Sequence, residues 1–114
     1  MDEKLSKIMA SEEEEAFTIE FEGETYEFAK KGITWRQMNE LLSRSIVVNK
    51  DGVKLHLGEF YEEAALLVLT KTPWPQSDMK FALKRLDPRF GARLQAHLPK
   101  IESLMESGDF FVEE

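Results

Sequence analysis

Residues 58–73 read GEFYEEAALLVLTKTP, which is the one long apolar run in the sequence. Phe60, Ala64 and Leu67 recur at helical spacing, and apolar residues between them widen the stripe until it nearly encircles a helix. Such a helix must be surrounded by protein or by membrane, and a membrane span needs about 20 apolar residues. Because glutamates and a lysine interrupt the run, we expect a central buried helix over residues 59–71 that ends before Pro73, with Leu67 in the core.

The composition is that of one small acidic domain. The chain has 114 residues, no cysteine and a formal net charge of −7. We therefore expect a single domain without disulfides or thiolate metal ligands. The N-terminus lacks the basic start and apolar run of a signal peptide, and no transmembrane segment is apparent, so we expect a cytoplasmic protein with no membrane partner. The negative charge argues against bulk nucleic-acid binding.

Charge is unevenly distributed along the chain. Residues 1–30 contain 10 acids and 3 bases, and residues 101–114 contain 5 acids and no base. Residues 76–100 invert this balance, with 6 bases and 2 acids. We divide the chain into a mobile acidic arm, a single globular domain and an acidic aromatic tail, at residues 1–15, 16–107 and 108–114.

Two β-hairpins are predicted from alternating apolar residues around turns. Residues 17–21 and 26–28 alternate apolar and polar side chains on either side of Gly23. Residues 46–57 show a second, shorter hairpin around a turn at residues 49–52. Because an isolated hairpin is marginally stable, we expect helices to cover the aromatic face of the first one.

Further helices are predicted on both sides of the central one. Thr34 is a plausible N-cap for a helix over residues 35–45, and Asp87 followed by Pro88 begins another. The predicted fold class is α+β, with two short β-hairpins packed on a mainly α-helical bundle around one central buried helix. The residues expected to face inward are Trp35, Met38, Leu41, Leu42, Met79, Ala82, Leu83, Leu86, Phe90, Leu94, Leu98, Ile101, Leu104 and Met105.

Neither a catalytic site nor a metal site is predicted. The turn at residues 49–52 resembles a calcium loop, but its glycine comes too early and no glutamate closes the loop. His56 lies on the outward side of a strand with no second histidine nearby. Glu62 and Glu63 are adjacent, so they do not share a helix face as an acid–base pair would. We expect no enzyme activity, no cofactor and no metal.

Aromatic residues outside the predicted core are the candidates for partner binding. Trp74 lies between two prolines, and Phe110 and Phe111 lie in the acidic tail. Aromatic anchors dominate the energy of protein interfaces, so these three residues are the predicted contacts. Three methionines either add an adaptable rim or belong to the core, namely Met38, Met79 and Met105.

A basic stripe supports an alternative function in nucleic-acid binding. Cations recur at spacings near four in the last helices and could neutralise phosphates, namely Lys80, Lys84, Arg85, Arg89 and Arg93. The competing interpretation pairs the stripe with Glu12 to Glu15, or with the C-terminal acids Glu102, Glu106, Glu113 and Glu114. A third option is self-association into a homo-oligomer. Nucleic-acid binding should fall steeply with salt, whereas apolar client binding should not.

The order of elements resembles a known family. Residues 32–73, GITWRQMNELLSRSIVVNKDGVKLHLGEFYEEAALLVLTKTP, contain a "TW" helix, a hairpin around "DG", the "GEFYEEAALLVL" helix and a "TP" loop. With the strand pair before them and "LPKIE" after them, they resemble the tail assembly chaperones and small tail-module proteins of long-tailed phages and proviruses. The resemblance covers residues 16–105.

This resemblance implies a non-enzymatic function in the host cytoplasm. Proteins of that family bind the long helical tape-measure protein or tail-tube subunits and keep them soluble until the tail assembles. The implied partner is therefore a structural tail protein or another helical client. The family supplies no catalytic residues and no cofactor.

Overall fold

The computed structural model describes residues 2–107, with the backbone alone for residues 105–107. Within that range the chain forms six helices and two small antiparallel sheets, which confirms the α+β prediction. The helices are α1 (Glu3–Ser6), α2 (Trp35–Ser45), α3 (Leu57–Val68), α4 (Met79–Arg85), α5 (Pro88–Gln95) and α6 (Ile101–Ser107). The strands are β1 (Glu15–Phe21), β2 (Glu24–Lys30), β3 (Ile46–Asn49), β4 (Gly52–Leu55) and β5 (Leu69–Lys71).

The first hairpin, β1–β2, is the main part of a sheet with the order β1-β2-β5. Glu22 and Gly23 form its two-residue turn with φ angles of 50° and 83°. Two positive φ angles are typical of the type I′ turn, whose twist matches that of the flanking strands. In the resulting register Phe17 lies opposite Phe28, and Ile19 lies opposite Tyr26. The apolar side chains therefore share one face of the sheet, as the alternation predicts.

We expect Gly23→Ala to destabilise the fold by about 1 kcal/mol, because a Cβ atom at this positive φ is strained. The matched control is Gly91→Ala in α5, where an added Cβ would meet no atom within 4 Å. Since glycine costs about 0.5–1 kcal/mol in a helix interior, the control should be stabilising. Urea unfolding followed by circular dichroism measures both. Equal effects of the two substitutions would contradict the turn assignment.

The central helix begins two residues earlier and ends three residues earlier than the sequence predicts. It ends at Val68, and the last three residues of the predicted helix instead form β5. Strand β5 pairs with β2 at Ala29 and Lys30, and the amide of Lys31 donates to the Val68 carbonyl at 2.9 Å. The edge of β2 that faces away from β1 has backbone groups that need hydrogen-bond partners. Strand β5 provides them, whereas a continued helix would have left them unpaired.

Helix α3 lies between two hydrophobic clusters. One face contributes Ala65 and Val68 to the first cluster, which also contains the sheet and α5. The other contributes Phe60 and Ala64 to the second cluster, with α2 and α6. The first cluster comprises Ile19, Phe28, Ala65, Val68, Leu69, Met79, Phe90, Leu94 and Leu98. The second comprises Leu41, Leu42, Ile46, Phe60, Ala64 and Ile101.

Leu67 and Trp35 depart from the predicted core. Leu67 is half-buried, with contacts to both clusters, rather than fully enclosed. Trp35 is 78% exposed, so its predicted inward orientation is wrong. A helical side chain covers the turn that precedes its own Cα. Because Trp35 is the first residue of α2, no preceding turn holds its ring against the protein.

The predicted helix starts are confirmed by their caps. Thr34 Oγ1 accepts from the Gln37 amide at 3.1 Å, while Gln37 Oε1 accepts from the Thr34 amide at 3.0 Å, which is a capping box. Asp87 Oδ1 accepts from the Arg89 amide at 2.8 Å, and Pro88 occupies the first turn of α5. A 3₁₀ turn, Gln76–Asp78, precedes α4. None of the helices described in residues 2–107 has the length and apolar content needed to cross a bilayer.

Candidate protein-binding surfaces

The second hairpin, β3–β4, carries an apolar face that is largely uncovered. Its register places Ile46 opposite Leu55 and Val48 opposite Val53, so all four side chains share one face. Only Ile46 is buried, in the second cluster. Val48 is 67% exposed, Val53 50% and Leu55 43%. We call these three exposed residues the hairpin face.

The hairpin is attached to the rest of the molecule at its base. It follows α2 without a loop, and the amide of His56 donates to the Ser45 carbonyl at 2.7 Å. Ser45 is itself buried, with its hydroxyl donating to the Leu41 carbonyl at 2.8 Å. Beyond Ile46, every residue of β3 and β4 is exposed. Sequence reasoning predicts the hairpin but not this exposure, because the register identifies an apolar face without indicating what covers it.

The opposite face of the same hairpin differs in character. Val47 lies opposite Lys54 there, and both side chains are exposed. The turn is closed by Asn49, whose side-chain oxygen accepts from the Asp51 amide at 2.9 Å. One face is therefore continuously apolar and the other is mixed, so the two faces can be tested against each other.

Trp74 is more buried than expected for a partner-binding residue in a proline-flanked loop. Its ring meets Phe28 edge to face at a centroid distance of 5.7 Å, and its indole N–H donates to Met79 Sδ at 3.2 Å. The Thr72 hydroxyl donates to the Trp74 carbonyl at 2.7 Å. Trp74 is half-buried, so its removal would disturb the core as well as any partner contact.

The outer side of Trp74 lines a shallow aromatic pocket of about 330 Å³. The other lining residues are Phe21, Tyr26, Pro73, Leu86, Asp87 and Phe90. The remaining predicted contacts, Phe110 and Phe111, lie outside the described residues. Of the three methionines, Met79 is buried in the first cluster and Met38 is half-buried against the second. The side chain of Met105 also lies outside the described residues.

The predicted basic stripe separates into two groups. Arg89 Nη2 donates to Glu22 Oε1 at 2.8 Å, and Arg93 donates to the carbonyl of Glu20. Both guanidinium groups lie over the Phe21 ring, at 5.0 and 5.5 Å from its centroid. The proposed pairing with residues 12–15 is wrong for these two arginines, because the first hairpin is their partner.

Asp87 is tied to the same arginine. Hydrogen bonds from the Arg89 side chain and amide lower the pKa of the Asp87 carboxyl, and the carboxylates of Asp87 and Glu22 raise the pKa of Arg89. These ion pairs keep Arg89 engaged within the molecule. The other group lies on α4 and is exposed, namely Lys80, Lys84 and Arg85.

The described part of the chain contains no grouping of three or more His, Asp or Glu side chains that could hold a metal ion. His56 is exposed at the start of α3.

His97 stacks on Phe17 at a centroid distance of 4.1 Å, and the Lys30 ammonium donates to the His97 carbonyl at 2.7 Å. Burial raises the pKa of the Tyr61 hydroxyl, and the negative charge of the Glu102 carboxylate raises this pKa further.

Comparison of the chain with protein-family profiles, with curated proteins and with solved structures finds no match.

Proposed function

We propose that this chain is a non-enzymatic, chaperone-like binding protein of phage or provirus tail assembly. In this proposal the hairpin face holds an apolar stripe of a helical client, such as the tape-measure protein or a tail-tube subunit. The observation that carries the proposal is the exposure of Val48, Val53 and Leu55 on one continuous face. The resemblance of residues 16–105 to tail assembly chaperones supports the choice of client.

The size of the hairpin face limits how much it contributes to client affinity. Full burial of a valine or leucine side chain gains about 1.5–3 kcal/mol. Because the three residues are about half exposed, covering them is worth on the order of 3 kcal/mol before the cost of association. An amphipathic helix can supply the covering side chains at i, i+3 and i+4 positions. Because association itself costs about 4–15 kcal/mol, the hairpin face supplies only part of the affinity, and in this proposal the client makes further contacts with the protein.

We expect Val48→Asp to abolish retention of the client and to leave the fold unchanged, because it places a carboxylate in the centre of the hairpin face. The experiment co-expresses the chain with the tape-measure protein encoded in the same genome and measures the soluble client that co-purifies. The matched control is Val47→Asp, which makes the same change on the opposite face beside Lys54.

Retention should also persist at high salt, since an apolar contact is not screened. Equal retention by Val48→Asp and wild type would rule out the hairpin face as the client site. Loss of retention in Val47→Asp alone would do the same.

A further inference from the structure

One surface of α4 is basic, aromatic and unpaired. Lys80 and Lys84 are four residues apart, as are Phe81 and Arg85, so the four side chains occupy one side of the helix. Phe81 is 66% exposed, and the Arg85 guanidinium lies 5.4 Å from its ring centroid. Within residues 2–107 none of the three cations forms an ion pair. We call these four residues the α4 face.

This arrangement is unfavourable without a partner. Like charges four residues apart destabilise a helix, and Lys80 and Lys84 form such a pair. A large aromatic side chain at 66% exposure leaves apolar area in water. An acidic segment with apolar side chains would relieve both, by neutralising the cations and covering Phe81.

The N-terminal arm of the same sequence has this composition. Leu5, Ile8 and Met9 are exposed large hydrophobic residues, and the run Glu12 to Glu14 follows them. In the described part of the molecule these three glutamates form no ion pair, and the only pairing nearby is Glu15 with Lys30 at 3.9 Å. The arm thus presents an apolar segment followed by an acidic one, both exposed to solvent.

The end of the arm lies beside β2 within one molecule, away from α4. Its carbonyl at Ser11 lies close enough to Gly32 to contact a Cβ placed there, at 3.4 Å. Residues 13–15 line a cleft with Lys30 and Lys31 at the end of β2. No hydrogen bond, ion pair or ring contact joins residues 2–14 to α4 in the described structure. The α4 face and the arm are therefore complementary in charge and apolar character, but they do not contact each other within one molecule.

We propose that the α4 face binds the acidic arm of a second copy of this chain. The carboxylates of Glu12 to Glu14 lie against the cations of α4, and the apolar residues of the arm cover Phe81. When two copies are related by a two-fold axis, each arm reaches the other's α4 face, which closes the assembly as a dimer with two equal contacts. Single exposed ion pairs are weak, but six cations and six carboxylates act together here, around two aromatic anchors.

The test uses two charge-reversed forms of the full chain. The arm variant carries Glu12→Lys, Glu13→Lys and Glu14→Lys, and the helix variant carries Lys80→Glu, Lys84→Glu and Arg85→Glu. We expect wild type to dimerise in sedimentation equilibrium, more weakly as salt increases. Each variant alone should associate at least about tenfold more weakly, because its attractive charge pairs become repulsive.

An equimolar mixture of the two variants should recover dimers, because both of its contacts are attractive. One contact joins the basic arm of the arm variant to the acidic α4 of the helix variant, and the other joins an unchanged acidic arm to an unchanged basic α4. A matched control reverses two lysines on the second hairpin, Lys50→Glu and Lys54→Glu, and should dimerise as wild type does. This control separates the arm contact from the hairpin face. Circular dichroism verifies that all variants fold.

Several results would overturn this proposal. They are a wild type that stays monomeric, variants that dimerise as wild type does, and a mixture that fails to pair. A single-stranded oligonucleotide that binds wild type but not the helix variant, with no dimer present, would instead assign the α4 face to nucleic acid.

Discussion

Ala64→Asp is expected to prevent soluble folding. Ala64 is 0% exposed and belongs to the second cluster, whose buried members are all apolar, so the new carboxylate would be removed from water without a charged partner in that cluster. An unpaired buried charge costs several kcal/mol, and the larger side chain adds strain to a packed core. Since a domain of this size has about 5–15 kcal/mol of stability in total, most of it would be lost. The soluble yield and the urea midpoint measure the effect.

The matched control is Ala92→Asp, because Ala92 is exposed on α5. The same chemical change there should lower the free energy of unfolding by no more than about 1 kcal/mol, mostly through helix propensity. If both variants have wild-type midpoints, the second face of α3 is not enclosed as described.

Phe28→Ala is expected to destabilise the fold by about 3–5 kcal/mol. Phe28 is almost fully buried, and its ring stacks on Phe17 at a centroid distance of 5.2 Å. The rings of Trp74 and Phe90 also lie against it, with centroid distances of 5.7 and 6.2 Å. Truncation would leave a cavity that these rings, themselves fixed by other contacts, fill only partly. The free energy of unfolding from urea titration checks this value.

Phe81→Ala provides the comparison for the same substitution at the surface. Phe81 is mostly exposed and its ring contact is with Arg85, so the expected cost is below about 1 kcal/mol. A cost for Phe28→Ala as small as that of Phe81→Ala would mean that the sheet does not pack on the first cluster.

Local patterns in the sequence predict most of the elements of this fold. Alternation around Gly23 predicts the first hairpin, and the capping residues Thr34 and Asp87 predict the starts of α2 and α5. These features depend on neighbours within a few residues, so a single sequence contains the information.

Most of the departures depend on contacts between distant segments, whereas the exposure of Trp35 follows from its place as the first residue of α2. The end of α3 is set by the free edge of β2, which lies about 40 residues earlier in the chain. Arg89 and Arg93 are separated from the rest of the basic stripe because they bond to the first hairpin, Arg89 to Glu22 in the turn and Arg93 to the Glu20 carbonyl in β1. The local pattern of charges does not identify Glu20 or Glu22 as the partners. The sequence has acids near both of its ends, and its composition alone does not indicate which of them the arginines meet.

The binding surfaces show the same division. The register of β3–β4 is predictable from its turn, and it identifies Val48 and Val53 as sharing a face. Whether a helix covers that face depends on where α2 and α3 lie, which only the assembled structure gives. In contrast, the two prolines beside Trp74 suggest an exposed binding residue, yet Trp74 packs on Phe28 and Met79 at the edge of the core.

Hydrogen–deuterium exchange of the full chain, free and bound to its tape-measure protein, tests the client site. Residues 46–55 should exchange more slowly in the complex, because the client covers the hairpin face, while α5 should be unchanged. The same protection should be absent for Val48→Asp and retained for Val47→Asp. Protection confined to α4 and α5, with the hairpin exchanging as fast as in the free protein, would contradict the proposed function.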